Sequence, residues 1–219
     1  DVFTMDKILL GDVFIRGGSS SGTHVLEEGR PIGQFYGLVC NGIDENGRYI
    51  LVDKDGDGEI SDPADYDYIG SAQPKLTYGI TNSFRYKNFD LSFFLRGTIG
   101  NDILNATRMA YAQSGFLPGT NALDDPLTYT LSETPRFSNY YLEKGSFMRL
   151  DNLTLGYKIK ALNGIRVYFT AQNLFVITKY KGLDPEVPMD SGDGLTPGVE
   201  PREFYPKART FSVGLNLNF

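Results

Sequence analysis

Apolar and polar residues alternate with a period of two along several stretches of the chain, the signature of strands with one greasy and one polar face. Leu76, Tyr78, Ile80, Phe84 and Tyr86 alternate with Thr77, Gly79, Thr81, Ser83 and Arg85. Phe89, Leu91, Phe93 and Leu95 alternate with Asp90, Ser92 and Arg96, and Phe94 breaks the pattern. Leu153, Leu155, Tyr157 and Ile159 alternate with Asn152, Thr154, Gly156 and Lys158. Ile165, Val167, Phe169 and Ala171 alternate with Arg166, Tyr168, Thr170 and Gln172. The last strand runs through Phe211, Val213, Leu215, Leu217 and Phe219, set against Ser212, Gly214, Asn216 and Asn218. Roughly seven or eight such segments can be counted.

The connections are ordered as short, long, short, long. Lys87-Asn88 joins one strand pair and Ala161 to Gly164 another, while the stretches 99–147 and 174–207 are long. Transmembrane β-barrels have this asymmetry, with short turns at one end and long loops at the other. A soluble antiparallel sandwich also alternates. Two details favour the membrane barrel. The polar face is mostly Ser, Thr, Gly and Asn rather than Lys or Glu, and the alternation continues to the final residue. The expected fold class is therefore all-β, an antiparallel transmembrane β-barrel segment with long extracellular loops. One short helix is expected within Asn101–Gln113, capped near Asn101 or Asp102, with Ile103, Leu104, Met109 and Ala110 as its apolar stripe.

Composition agrees with this picture and narrows the chemistry. The 219 residues are 41% hydrophobic and 22% charged, and 13% are aromatic, which excludes a disordered tail. Mean hydropathy is only −0.26, as expected when apolar and polar positions alternate. No apolar run approaches the ~18 residues of a membrane-spanning helix. A net charge of −6 argues against a nucleic-acid partner. The single cysteine, Cys40, cannot form an intrachain disulfide or a cysteine metal site. The single histidine, His24, follows Gly17-Gly18-Ser19-Ser20-Ser21-Gly22 and reads as a solvated loop residue rather than a catalytic base. The chain opens on Asp1 with no signal-peptide pattern, as a mature or clipped product does. No catalytic residues are expected.

The sharpest local motif is Asp53-Lys54-Asp55-Gly56-Asp57-Gly58-Glu59-Ile60-Ser61-Asp62-Pro63-Ala64-Asp65. Oxygens at positions 1, 3 and 5, glycine at 6 and an apolar residue at 8 match the first half of a calcium loop. Asp53, Asp55, Asp57 and the Glu59 carbonyl would supply hard oxygen ligands for Ca2+. Ala64 occupies the position of the usual bidentate glutamate, leaving Asp62 or Asp65 to close the shell. Asp-Gly repeats also form acidic surface turns without any metal, and both readings stand. The Asp124-Asp125 pair and Asp190-Ser191-Gly192-Asp193 read as solvated loop residues. The preceding Arg48–Val52 reads as a strand.

Several stretches together resemble the C-terminal part of the barrel of SusC/RagA-type TonB-linked outer-membrane proteins of Bacteroidetes. In family order they are Gly29–Gly37, Asp53–Ile60, Ile69–Gly79, Phe89–Gly97, Gly100–Asn105, Tyr141–Leu150, Ala171–Phe175 and the terminal strand ending in Phe219. The resemblance covers about residue 29 onward, and 1–28 match poorly. It implies that residues 1–219 are the C-terminal part of a barrel of about 22 strands closed by an N-terminal plug. It further implies import of oligosaccharide or peptide, a SusD-like surface lipoprotein as lid, and energy from TonB through an N-terminal region. Phe219 resembles the terminal aromatic signal read by outer-membrane assembly machinery. The acidic loop at 53–65 resembles a recurring family feature.

With a periplasmic C-terminus, parity places the turns 87–88 and 161–164 in the periplasm. The loops 53–73, 99–147 and 174–207 then face outside, where substrate and lipoprotein would touch. Arg108, Tyr111, Tyr129 and Tyr140 are the candidate substrate-binding residues. Phe84, Tyr86 and Tyr157 are expected in the aromatic girdle against membrane lipid. The rival reading is a calcium-stabilised extracellular β-domain of an adhesin or structural protein.

Overall fold

In a computed structural model of the chain, the alternating stretches form strands. The structure describes residues 7–11, 14–15, 18–19, 22–115, 117–119, 121–160, 165–187, 194–200 and 205–217. In chain order the elements are β1 (Ile8–Leu10), β2 (Phe14–Ile15), β3 (Gly18–Ser19), β4 (His24–Leu26), β5 (Gln34–Leu38), β6 (Cys40–Ile43), β7 (Tyr49–Leu51) and β8 (Tyr66–Ser71). There follow β9 (Leu76–Tyr86), β10 (Phe89–Ile99), β11 (Asp102–Leu104), α1 (Ala106–Tyr111), α2 (Pro126–Thr130) and a 3-10 turn at Asn139–Tyr141. The chain ends with β12 (Leu142–Lys144), β13 (Phe147–Ile159), β14 (Ile165–Thr178) and β15 (Thr210–Asn216). Two compact units result. One comprises Asp1–Gln73, Asn101–Lys144 and Tyr180–Phe204, the other Pro74–Gly100, Gly145–Lys179 and Tyr205–Phe219.

The second unit is a single antiparallel sheet of five strands, ordered β15-β14-β13-β10-β9. Among the described residues, five long strands thus share this sheet, fewer than the segments counted from alternation alone. The other strands are short and belong to the first unit. Period-two alternation, carried through the register, makes the two faces chemically uniform. One row across all five strands reads Phe84, Leu91, Leu155, Phe169, Val213. The adjacent row, on the opposite face, reads Ser83, Ser92, Thr154, Thr170, Ser212. The Thr154 and Thr170 hydroxyls meet at 3.1 Å across their strands. The apolar face has no packed layer within its own sheet: Ile80, Phe84, Phe89, Leu155, Val213 and Leu215 are all exposed.

A register shift lies beside the break at Phe94. Asp151 is an extra residue on β13 between Leu150 and Asn152, whose β10 partners Leu95 and Phe94 are consecutive. Phe94 sits on the polar face, opposite Thr81 and Asn152. Its ring fits because Gly79 has no side chain there; a Cβ on Gly79 would stand 3.2 Å from the ring. The bulged Asp151 accepts from both Nε and Nη2 of Arg96, at 2.9 and 2.8 Å. On the other side of β13, Asn173 and Leu174 of β14 together face Asp151, and Asn173 has a φ of 50°.

Tyr86 and Phe89 flank the Lys87-Asn88 turn, and the Phe89 and Tyr157 rings lie 4.6 Å apart at that end of the sheet. Phe84, Tyr86 and Tyr157 are exposed on the apolar face, as a girdle requires. The 161–164 turn, Phe219 and the Asp190–Asp193 stretch lie outside the described residues.

The first unit is built from the long connections. They are not structureless, because three sequence-distant segments supply a shared core. Phe35, Leu104, Met109, Phe137 and Tyr141 are essentially fully buried together, and Val25, Leu38 and Tyr66 form a second cluster. Strands β1, β4, β5 and β8 make its main sheet, in the order β1-β4-β5-β8. β6 and β7 form a hairpin whose turn is held by Asp44, which accepts the Asn46 and Arg48 N–H groups at 2.9 and 2.8 Å.

Two expectations are corrected here. His24 is fully buried on β4 rather than solvated. Its Nδ1 lies 2.9 Å from the Thr23 hydroxyl and its Nε2 2.9 Å from the Pro197 carbonyl, and its ring packs 4.5 Å from Phe35. The helix expected at Asn101–Gln113 is confined to α1. Asp102–Leu104 is extended, with Ile103 and Leu104 both fully buried, and Asn105 caps the helix by accepting from the Arg108 N–H at 2.8 Å.

Gly97 marks the tightest approach in the sheet. A Cβ there would lie 2.1 Å from the Phe147 carbonyl oxygen and 2.6 Å from the Tyr78 hydroxyl. The backbone atom cannot yield as a side-chain tip does. Gly97→Ala is therefore expected to destabilise the barrel wall by about 1–3 kcal/mol, read as a lower urea midpoint in detergent. An unchanged midpoint would contradict this packing.

Candidate functional site

The acidic loop joins β7 to β8 and folds around its own carboxylates. Asp53 accepts the N–H of Gly56 at 2.6 Å through one oxygen and that of Gly58 at 2.9 Å through the other. Gly56 and Gly58 have φ of 77° and 88°, so the sharp curvature falls where side chains are absent. Asp55 accepts the Asp57 N–H at 3.2 Å, and Asp57 accepts the Glu59 N–H at 2.8 Å. The result brings carboxylate oxygens of Asp53, Asp55 and Asp57 within 4.8 Å of one another. The Asp57 N–H favours the Asp55 charge, but desolvation and repulsion from Asp57, Asp65 and Asp53 outweigh it and hold the Asp55 carboxyl above its usual value.

The two residues expected to close the shell have other partners. Asp65 is 1% exposed and sits at the loop root, accepting the Lys54 N–H at 2.6 Å and the Ser61 N–H at 2.8 Å. Those two N–H groups, Ser61 foremost, hold its carboxyl below the usual carboxylate range. Asp62 instead pairs with Arg136 at 2.8 Å. Glu59 is exposed on the loop surface. The structure thus gathers Asp53, Asp55 and Asp57, and assigns Asp65 and Asp62 to fastening the loop.

Of the four candidate substrate residues, two come together. Arg108 on α1 donates Nε to Asp125 at 2.9 Å, and its guanidinium lies 5.4 Å from the Tyr140 ring centroid. Tyr111 is half-buried three residues further along the same helix. Tyr129 is 75% exposed on α2. Asp125 is not the solvated loop residue expected. It caps α2 by accepting the Leu127 N–H at 2.9 Å, and its side chain is only 18% exposed. Burial opposes its charge, but the Arg108 guanidinium and the Leu127 N–H prevail and hold its carboxyl below the usual value.

Sequence reasoning missed a tyrosine cluster beside this pair. Tyr49 and Tyr141 join hydroxyl to hydroxyl at 2.5 Å, and Tyr140 packs edge-on to both rings. Burial pushes the Tyr49 phenol up to about 12 and that of Tyr141 up as well. Neither is an acid or base at neutral pH. Only the adjacency of Tyr140 and Tyr141 in the sequence hinted at the cluster, because Tyr49 lies 92 residues from Tyr141.

A two-faced antiparallel sheet with a tight turn at Lys87-Asn88, and long connections that fold into a unit of their own, define the class as an outer-membrane β-barrel portion. No protein-family model matches the chain. It is 34% identical to the TonB-dependent receptor P3 of Formosa agariphila, over 90% of this chain and 23% of that protein. It is 36% identical to the TonB-dependent receptor SusC of Bacteroides thetaiotaomicron, over 95% of this chain and 21% of the relative. Among solved structures, the RagAB peptide transporter matches with a TM-score of 0.72 at 25% identity, covering 97% of this chain and 25% of that one. The chain belongs to the SusC/RagA type of TonB-dependent receptor. It spans about a quarter of the length of the relatives it matches. Receptors of this family lie in the bacterial outer membrane and are not enzymes.

Asp65 gives the loop a testable pH response. Its folded pKa is lowered, so its contribution is complete at neutral pH and is lost as pH falls below about 4 and through the folded value. Hydrogen-exchange protection of the Lys54 and Ser61 amides should disappear over that descent. In Asp65→Ala it should be absent already at neutral pH; protection retained there would contradict the assignment.

Proposed function

We propose that the complete receptor carries an oligosaccharide or a peptide across the outer membrane, and that these 219 residues supply part of its barrel wall and its outward-facing connections. The observation that carries this is the pairing of an apolar row, Phe84 to Val213, with a hydroxyl row, Ser83 to Ser212, on opposite faces of one sheet. Such a wall suits lipid on one side and a wet lumen on the other. No bond is made or broken in this activity. The turn at 87–88 and the C-terminus face the periplasm, and the long connections face outside. Phe219 serves assembly. Energy comes from TonB through a part of the receptor outside these residues, and a SusD-like lipoprotein closes over the outer face. The peptide named with the RagAB transporter supports the peptide as one of the two substrate classes.

At the cap, Arg108 and Tyr140 offer a guanidinium beside an aromatic face, with Tyr111 and Tyr129 on nearby helices. These groups suit hydroxyl-rich or peptide ligands. The acidic loop takes Ca2+ through Asp53, Asp55, Asp57 and the Glu59 carbonyl. Support comes from the three carboxylates converging within 4.8 Å and from the positive-φ glycines that curve the backbone around them. Asp62 and Asp65 act as its outer fastening.

Affinity purification of the tagged full-length receptor from its native membrane should bring down a surface lipoprotein at one-to-one ratio. Loss of the receptor should abolish uptake of either labelled oligosaccharides or labelled peptides. A receptor that purifies alone and whose deletion leaves both uptakes intact would refute the reading. For calcium, Asp55→Ala combined with Asp57→Ala should remove one equivalent of bound metal, and unchanged metal content would dismiss the site.

A further inference from the structure

On the polar face, at the Lys87-Asn88 end of the sheet, cations collect in a chain that is otherwise acidic. Arg85, Lys87, Lys158 and Arg166 line one cavity of about 590 Å3 with Asp90 as its carboxylate, and the Asn88 and Asn216 side chains complete it. The chain as a whole carries −6.

The register makes the crowding specific. Lys158 stands directly opposite Arg166, a like-charge pair that destabilises a sheet unless something offsets it. Arg166 turns away from Lys158 and crosses Gly156 to reach Asp90, donating Nε to one oxygen at 2.9 Å and Nη2 to the other. A Cβ on Gly156 would lie 2.5 Å from both groups, so the glycine opens the path. Arg85 faces the same Asp90 from β9. The fork from Arg166 already satisfies both Asp90 oxygens. Arg85, Lys87 and Lys158 are left exposed, and none forms an ion pair within 4 Å among the described residues.

We propose that this cavity is an anion site that takes a phosphate group carried on an organic ester. A planar carboxylate is matched by one guanidinium fork, the arrangement Asp90 already has. Two further cations, Arg85 from β9 and Lys158 from β13, with Lys87 at the turn over the Tyr86 ring, suit a tetrahedral oxyanion, which accepts hydrogen bonds from several directions. The Asn88 and Asn216 amides add neutral donors at the rim. The volume falls within the ~300–1,000 Å3 of small-molecule sites, leaving room for the group that bears the phosphate. The phosphate is that of a lipid headgroup or of a soluble ester, the two sources of one chemistry. The site lies within this sheet alone, apart from the residues proposed for the transported substrate.

The test uses the full-length receptor containing this sequence. In lipid-free detergent, inorganic phosphate is titrated by calorimetry into wild type and into Arg85→Ala/Lys158→Ala. Removing two charge-assisted contacts should weaken binding by about tenfold or more. Lys158→Arg should bind as wild type does, whereas Lys158→Gln should not, which separates lost charge from misfolding. In nanodiscs, a lipid source predicts that wild type retains phosphatidylglycerol through delipidation and the double variant does not. A soluble source predicts equal lipid retention in the two with the phosphate difference intact. Equal phosphate affinity and equal lipid retention in wild type and double variant would overturn the proposal.

Discussion

Backbone hydrogen bonding in the absence of water is the constraint on which the structure depends. A strand against lipid has no solvent for its N–H and C=O groups, so neighbouring strands must satisfy them. The five long strands do this for one another, from β9 through to β15. Among the described residues, β9 and β15 stand at the two edges of this sheet, each with one side open to further pairing. A sheet of this kind is stable as a wall within a larger closed barrel, in keeping with a chain that spans about a quarter of its relatives' length.

Pairing in fixed register then sorts the side chains. Because the period is two, Phe84 and Ser83 cannot exchange faces without reversing every residue of their rows. The same logic explains the exceptions. Phe94 holds a polar-face position on β10, whose pairing with β9 is unbroken, and Gly79 leaves the space its ring fills. Gly156 and Gly214 play the corresponding part for long polar side chains, letting Arg166 reach Asp90 and the Tyr168 ring lie across β15. The glycines of this sheet are where one strand's side chain crosses another's backbone.

The wall was legible in the sequence because its information is local. Alternation over Phe211–Leu215 or Leu153–Ile159 needs only neighbouring residues to be recognised, and the strand positions followed. The first unit was not legible for the opposite reason. Its core joins Phe35, Leu104 and Phe137, which lie far apart in the chain and share no periodicity. His24 looked solvated beside a glycine- and serine-rich stretch, yet its two ring nitrogens are engaged by Thr23 and by Pro197, a residue 173 positions away. The acidic loop was half legible. The spacing of Asp53, Asp55 and Asp57 placed them together. The spacing said nothing of Arg136, which claims Asp62, or of the backbone N–H groups that hold Asp65. Arg108 is a substrate candidate by residue type in an outward-facing stretch, but its nearest duty is to tie α1 to the cap of α2 through Asp125.

The central claim is that one face of this sheet meets lipid and the other water. Spin labels placed singly at positions 211, 212, 213, 215 and 216 of the full-length receptor in bilayers test it directly, by comparing collision with oxygen and with a water-soluble nickel chelate. A period-two pattern is expected, with oxygen favoured at Phe211, Val213 and Leu215 and nickel favoured at Ser212 and Asn216, while 214 stays unlabelled because the Tyr168 ring covers Gly214. Nickel accessibility at every labelled position would contradict it and return the sheet to the surface of a water-soluble domain.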